Sequence, residues 1–183
     1  MFRMRKRYSI ILLVFLLISC KSNDEKAFFD FDSVEYYSLN KNKEVEIIEN
    51  NRNGIKDSIL NKILYSEFPD ALDNDVFYKN VNTNSFSKFK LSQKDIEYLK
   101  NDVFHEKLSF KMFELNKACA PEYRDILVFK KNNKISGIAK ICFSCGQFYI
   151  ISSKREIQTE NFGTEKEYKS LEKLFNTYKK DKN

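Results

Sequence analysis

The chain has 183 residues, 42% of them hydrophobic, with 32 Lys and Arg against 26 Asp and Glu, four glycines and two prolines. That length suits one compact domain and that apolar share is enough for a core, which excludes a disordered chain, a collagen-like fibre and a polytopic membrane protein. The formal charge of +6 misleads until the chain is divided, because basic and apolar residues are both concentrated at its start.

Arg3, Arg5, Lys6 and Arg7 form a basic stretch free of acids, and Ile10 to Ile18 follow as an unbroken apolar run of nine. Basic then apolar is the order of a secretory signal. The run is about half of the roughly 20 residues that a spanning helix needs, so a permanent transmembrane helix is the weaker reading. Leu17-Ile18-Ser19-Cys20 closes the run. These four residues resemble the lipobox of bacterial lipoproteins, in which the cysteine thiol receives a diacylglycerol and a dedicated peptidase cuts just before it. The resemblance implies that residues 1–19 are a signal peptide and that Cys20 is the lipidated first residue of the mature chain. Its partner would be membrane lipid, and its place the cell envelope, on the periplasmic or the surface side of an outer membrane. Each buried acyl methylene contributes about 0.8 kcal/mol, so two or more chains anchor stably.

Lys21 to Lys26 is polar and opens a stretch, residues 20–33, read as a flexible tether. Its Asp24-Glu25 pair is similar to the surface-export signal of lipoproteins from the Bacteroidetes group. Asp32-Ser33-Val34 and Asp57-Ser58-Ile59 match the O-glycosylation acceptor of the same group, at Ser33 and Ser58.

Removing the four basic residues of the signal from 32 leaves 28 against 26 acids, a formal charge of +2. The two signs are interleaved, so no basic stripe tracks a phosphate backbone, and nucleic acid is not an expected partner. Lys179-Lys180-Asp181-Lys182 reads as solvated charge at a helix end.

Residues 34–183 read as a single α+β domain in which an antiparallel β-meander, about residues 125–153, packs with two or three helices. Val34 to Leu39 and Glu44 to Ile48 are candidate strands, the second with Val45 and Ile47 alternating with Glu44 and Glu46. Ile55, Ile59 and Ile63, with Leu60 and Leu64, repeat at helical spacing and predict a helix over Gly54 to Phe68. Pro69 to Phe89, rich in Asn, Asp and Lys, reads as irregular. Ser92 caps a helix over Gln93 to Phe104 whose apolar face is Ile96, Leu99 and Val103. Asp125 to Lys131 and Lys134 to Phe143 are strands joined by Asn132-Asn133, residues that tolerate the positive φ of a tight hairpin. In the second strand Ile135, Gly137, Ala139, Ile141 and Phe143 share a face, and Gln147 to Ser153 supplies a third strand. Thr164, with Glu167 completing a capping box, opens a helix through Lys180 whose Tyr168, Leu171, Leu174, Phe175 and Tyr178 form a core stripe.

With Cys20 taken by lipid, Cys119, Cys142 and Cys145 remain, an odd number in an oxidising compartment. One disulfide and one leftover thiol is the simplest arithmetic, and a hairpin brings Cys119 within reach of either partner. Cys142-Phe143-Ser144-Cys145 lacks the helical context that depresses a thioredoxin-type thiol pKa, since Gly146 to Ile150 continues as strand. A zinc site would need these three cysteines and His105, the single histidine, at a spacing that matches no local motif. Cys119 to Asp125, the hairpin, and Cys142 to Cys145 together resemble a pattern in small secreted bacterial proteins of no assigned function. Within it Tyr123, Arg124 and Asp125 read as an aromatic cap on the strand start and a turn charge pair. No nucleophile elbow, glycine-rich phosphate loop or H-E-x-x-H occurs.

The expectation is an anchored envelope lipoprotein acting as a non-enzymatic binding or interaction module, with no cofactor and an envelope protein as partner. The alternative is a thiol-redox or metal-binding envelope protein using Cys119, Cys142 and Cys145.

Overall fold

The computed structural model describes residues 27–54, 58–105, 119–154, 162 and 165–180. The signal stretch, Cys20, the first part of the tether and Thr164 lie outside the described residues, as does the side chain of Ser58. Five strands, β1 (Ser33–Leu39), β2 (Phe86–Lys90), β3 (Asp125–Lys131), β4 (Lys134–Cys142) and β5 (Gln147–Ser152), form one antiparallel sheet in the order β2-β1-β3-β4-β5. The helices are α1 (Lys41–Arg52), α2 (Ser58–Tyr65), α3 (Asp75–Val81), α4 (Gln93–Tyr98), which runs into a π turn (Leu99–Val103), and α5 (Glu165–Lys180). This is the expected α+β class with its β3-β4-β5 meander, carried by five helices among the described residues instead of two or three.

Helices cover both faces of the sheet. On the front, Ile96, Leu99 and Val103 and the α5 stripe of Tyr168, Leu171 and Phe175 pack on Val34, Tyr36, Leu127, Phe129, Ala139 and Ile141. On the back, Ile47 of α1, Leu60, Ile63 and Leu64 of α2, and Phe77 and Val81 of α3 pack on Tyr37, Ile126, Val128 and Ile138. Strand side chains alternate between faces, so β3 and β4 contribute to both clusters. None of the described helices is long and apolar enough to cross a membrane.

Three expectations are corrected by this packing. Phe28 and Phe29 are wholly buried and Phe31 is 1% exposed, so residues 28–31 belong to the packed core and not to a flexible tether. The Phe29 ring lies 4.3 Å from that of Phe129 and covers Gly137, where an added Cβ would come within 2.6 Å of it. Glu44 to Ile48 is helical, within α1: β1 already pairs with β2 on one edge and β3 on the other, so the segment that follows β1 has no edge of that strand to pair with. Pro69 to Phe89 contains α3 and β2.

The hairpin forms as expected. Asn132 and Asn133 have φ of 50° and 63°, and Lys131 pairs with Lys134 across them. Phe129 opposes Gly137 while Lys130 opposes Ile135, which leaves Ser136 as a bulge. The extra residue turns Ile135 to the back cluster, away from the face of Gly137, Ala139 and Ile141 with which strict alternation groups it.

Candidate functional site

The segment 119–125 leads into β3 and faces the far end of the hairpin, and it carries two adjoining constellations. The first is built on sulfur and a buried amine. Cys119 and Cys145 form a disulfide with Cα atoms 5.8 Å apart, and Cys142 stays a free thiol, 1% exposed. Its sulfur accepts from the Glu122 amide at 3.3 Å, and the Gln147 side chain donates to the Cys119 carbonyl at 2.9 Å. Two residues before Cys142 on the same strand face, Lys140 is fully buried. Its ammonium donates to the Ser66 and Phe68 carbonyls at 2.6 and 2.8 Å and sits over the rings of Tyr123 at 4.5 Å and Tyr149 at 5.5 Å. Loss of hydration on burial lowers its pKa from 10.5 to about 7, with Glu67 pulling the other way. Lys140 thus bolts the chain after α2 to the sheet, and the Tyr123 backbone N–H adds a hydrogen bond to the Leu64 carbonyl at 2.8 Å.

The second constellation is a cleft of about 460 Å³ at the end of the sheet, between the start of α1 and the last turns of α5. Asp125 forms its floor and is 4% exposed. One carboxylate oxygen, Oδ1, accepts from the Tyr36 hydroxyl at 2.5 Å and from Lys179 Nζ at 2.8 Å. Burying a carboxylate is costly without such partners. Tyr36 is itself fully buried, its ring stacked 4.2 Å from Phe175, and burial beside Asp125 pushes its pKa far up, so it acts as a fixed donor. Arg124 pairs with Glu122 and with Glu44 of α1, 3.0 Å away, and the Tyr65 hydroxyl donates to Glu122 at 3.2 Å. Apolar wall is supplied by Ile141, Phe143 and Phe175.

The turn charge pair expected of Arg124 and Asp125 is corrected: Arg124 pairs with Glu122 and Glu44, and Asp125 is a buried acceptor held by Tyr36 and Lys179, far along the chain. Lys179, read as solvated helix-end charge, is the partner of Asp125. His105 bridges Ala27 through the backbone, its Nε2 meets the Lys100 carbonyl, and its buried Nδ1 has no partner among the described residues. The disulfide takes two of the thiolates that zinc would need, and among the described residues no three His, Cys, Asp or Glu are grouped to hold a metal ion. Ser33 opens β1, and its hydroxyl donates to Asp32 at 3.4 Å. Sequence reading missed Lys140, Tyr36 and Lys179 as site residues. Between Ala139 and Ile141, which share one face of the strand, a lysine reads as an ordinary outward-facing residue, so no local signal marks Lys140. Comparison of the chain with family models, with curated proteins and with solved structures finds no match in any of the three.

Proposed function

We propose that the protein is an envelope lipoprotein, tethered to membrane lipid through an acylated Cys20, whose folded domain is a non-enzymatic binding or interaction module for another envelope protein. The lipobox supports the anchor. The binding reading rests on one observation, the 460 Å³ cleft floored by a buried, doubly bonded carboxylate. Pockets that combine apolar walls with a few fixed polar groups are the usual form of a binding site. The alternative, a thiol-redox or metal-binding role for Cys119, Cys142 and Cys145, has no comparable opening behind it, since Cys142 is 1% and Cys145 4% exposed.

Two measurements test the two halves. Cys20→Ser should abolish incorporation of an alkyne-tagged fatty acid and leave unprocessed precursor; undiminished labelling would refute the anchor. A photo-crosslinking residue at the exposed cleft position Asn176 should capture a discrete partner in intact cells, while one at exposed Lys62 on α2 should not. The capture should disappear when Ser144→Trp fills the cleft. Equal capture at both positions, or none at Asn176, would refute the binding module.

A further inference from the structure

The ion pair on the cleft floor is asymmetric. Tyr36 is wholly buried, but the Lys179 side chain is 36% exposed, so of the two donors to Asp125 Lys179 is the one that can exchange with solvent. Lys179 also lines a second cavity of about 400 Å³, which shares Ser38, Leu39 and Lys41 with the first. Its side chain therefore lines both hollows and holds the carboxylate of Asp125 at their shared edge.

The remaining lining favours a cation in that place. Carboxylates outnumber basic groups around the cleft: Glu44, Glu122, Asp125 and Glu172 against Lys41, Arg124 and Lys179. Arg124 is committed to Glu44 and Glu122, so withdrawal of Lys179 leaves an acidic hollow. Phe143 and Phe175 stand edge to face with centroids 5.7 Å apart and supply the apolar wall that a lysine stem packs against. An anionic ligand would meet Asp125 and Glu172 directly.

We propose that the cleft binds a basic peptide segment, one lysine of which takes the position of Lys179 on Asp125. The proposal rests on the binding-module reading and adds the ligand class and the element that competes for the site. The exchange replaces one ammonium with another on the same oxygen, so affinity comes from the rest of the peptide and is reduced by the fraction of time that Lys179 holds the site.

Binding of a fluorescein-labelled, capped tetralysine peptide to the detergent-solubilised full chain, read by anisotropy at low salt, tests this. Lys179→Met should bind about tenfold more tightly than the unaltered chain, the gain expected if the closed arrangement is about nine-tenths populated. Lys180→Met removes the same charge from the neighbouring exposed residue and should bind as the unaltered chain does. Asp125→Asn should lose at least tenfold, and a capped tetraglutamate peptide should not bind. Equal affinity in the Lys179→Met and Lys180→Met chains would overturn the proposal, as would retained affinity in a folded Asp125→Asn chain. If Asp125→Asn does not fold, the lysine pair decides alone. Failure of tetralysine to bind while Asn176 still captures a partner would overturn the ligand class and leave the binding module standing.

Discussion

Lys140 shows how much a single side chain depends on what covers it. An amine with two carbonyl acceptors and two tyrosine rings is well placed, yet it gives up all its hydration. Its folded-state pKa of about 7 lies below the ordinary 10.5, so between these values the unfolded chain binds more protons than the folded one. Stability owed to this residue therefore rises with pH across that window, and below about pH 7 the cost of a buried ammonium is borne in full. Lys140→Met removes the titration while keeping the bulk of the stem. Urea unfolding of both chains at pH 6, 8 and 10 should show the unaltered chain gaining on the variant as pH increases; a constant difference would mean that the amine stays protonated in the fold. Alternation in β4 marks position 140 as belonging to the opposite face from Ala139 and Ile141. That the opposite face is also buried was not legible at the residue itself.

Elements were readable where the signal is local. Asn132-Asn133 between two β-rich runs specified the hairpin because both residues adopt positive φ, which few others do. The Ser92 cap was likewise readable, its hydroxyl accepting from the Asp95 amide at 3.2 Å. Glu44 to Ile48 failed for a non-local reason: five alternating residues satisfy a strand pattern, but the two edges of β1 were already taken by strands about 50 and 90 residues further on. The bulge at Ser136 is of the same kind, since pairing with β3 determines it and nothing in β4 announces it. A prediction belongs to the hairpin. Asn133→Val places a β-branched side chain at φ 63° and should cost about 1–2 kcal/mol, whereas Asn133→Gly should cost nothing. Chemical denaturation reads both, and equal stability of the two variants would show that the turn relaxes to another conformation.

At the scale of the whole molecule, helices on both faces of the sheet decide which chemistry is accessible. In the back layer the helical spacing of Ile59, Ile63, Leu60 and Leu64 announced α2, whereas α1 and α3 were not legible, and it is the chain just after α2 that covers Lys140. The cleft was invisible for a related reason, because Tyr36, Asp125 and Lys179 come from three distant segments that meet only at the end of the sheet. The disulfide ties the approach to β3 to the turn between β4 and β5, across a separation of 26 residues. Such a link typically stabilises by about 2–4 kcal/mol. Cys119→Ser should lower the unfolding free energy by that amount, and Cys142→Ser, which leaves the link intact, should lower it less. Thiol counting on the full chain follows the same architecture. The native protein should react with no alkylating reagent, because Cys142 is buried; the denatured, unreduced protein should react once, at Cys142. After reduction in denaturant three thiols should react if Cys20 is acylated, and four if it is not. A single experiment thus reads the disulfide, the burial of the third sulfur and the occupancy of the anchor. Two reactive thiols before reduction would show that Cys20 is free, and three would show that the link between Cys119 and Cys145 is absent in the acylated chain.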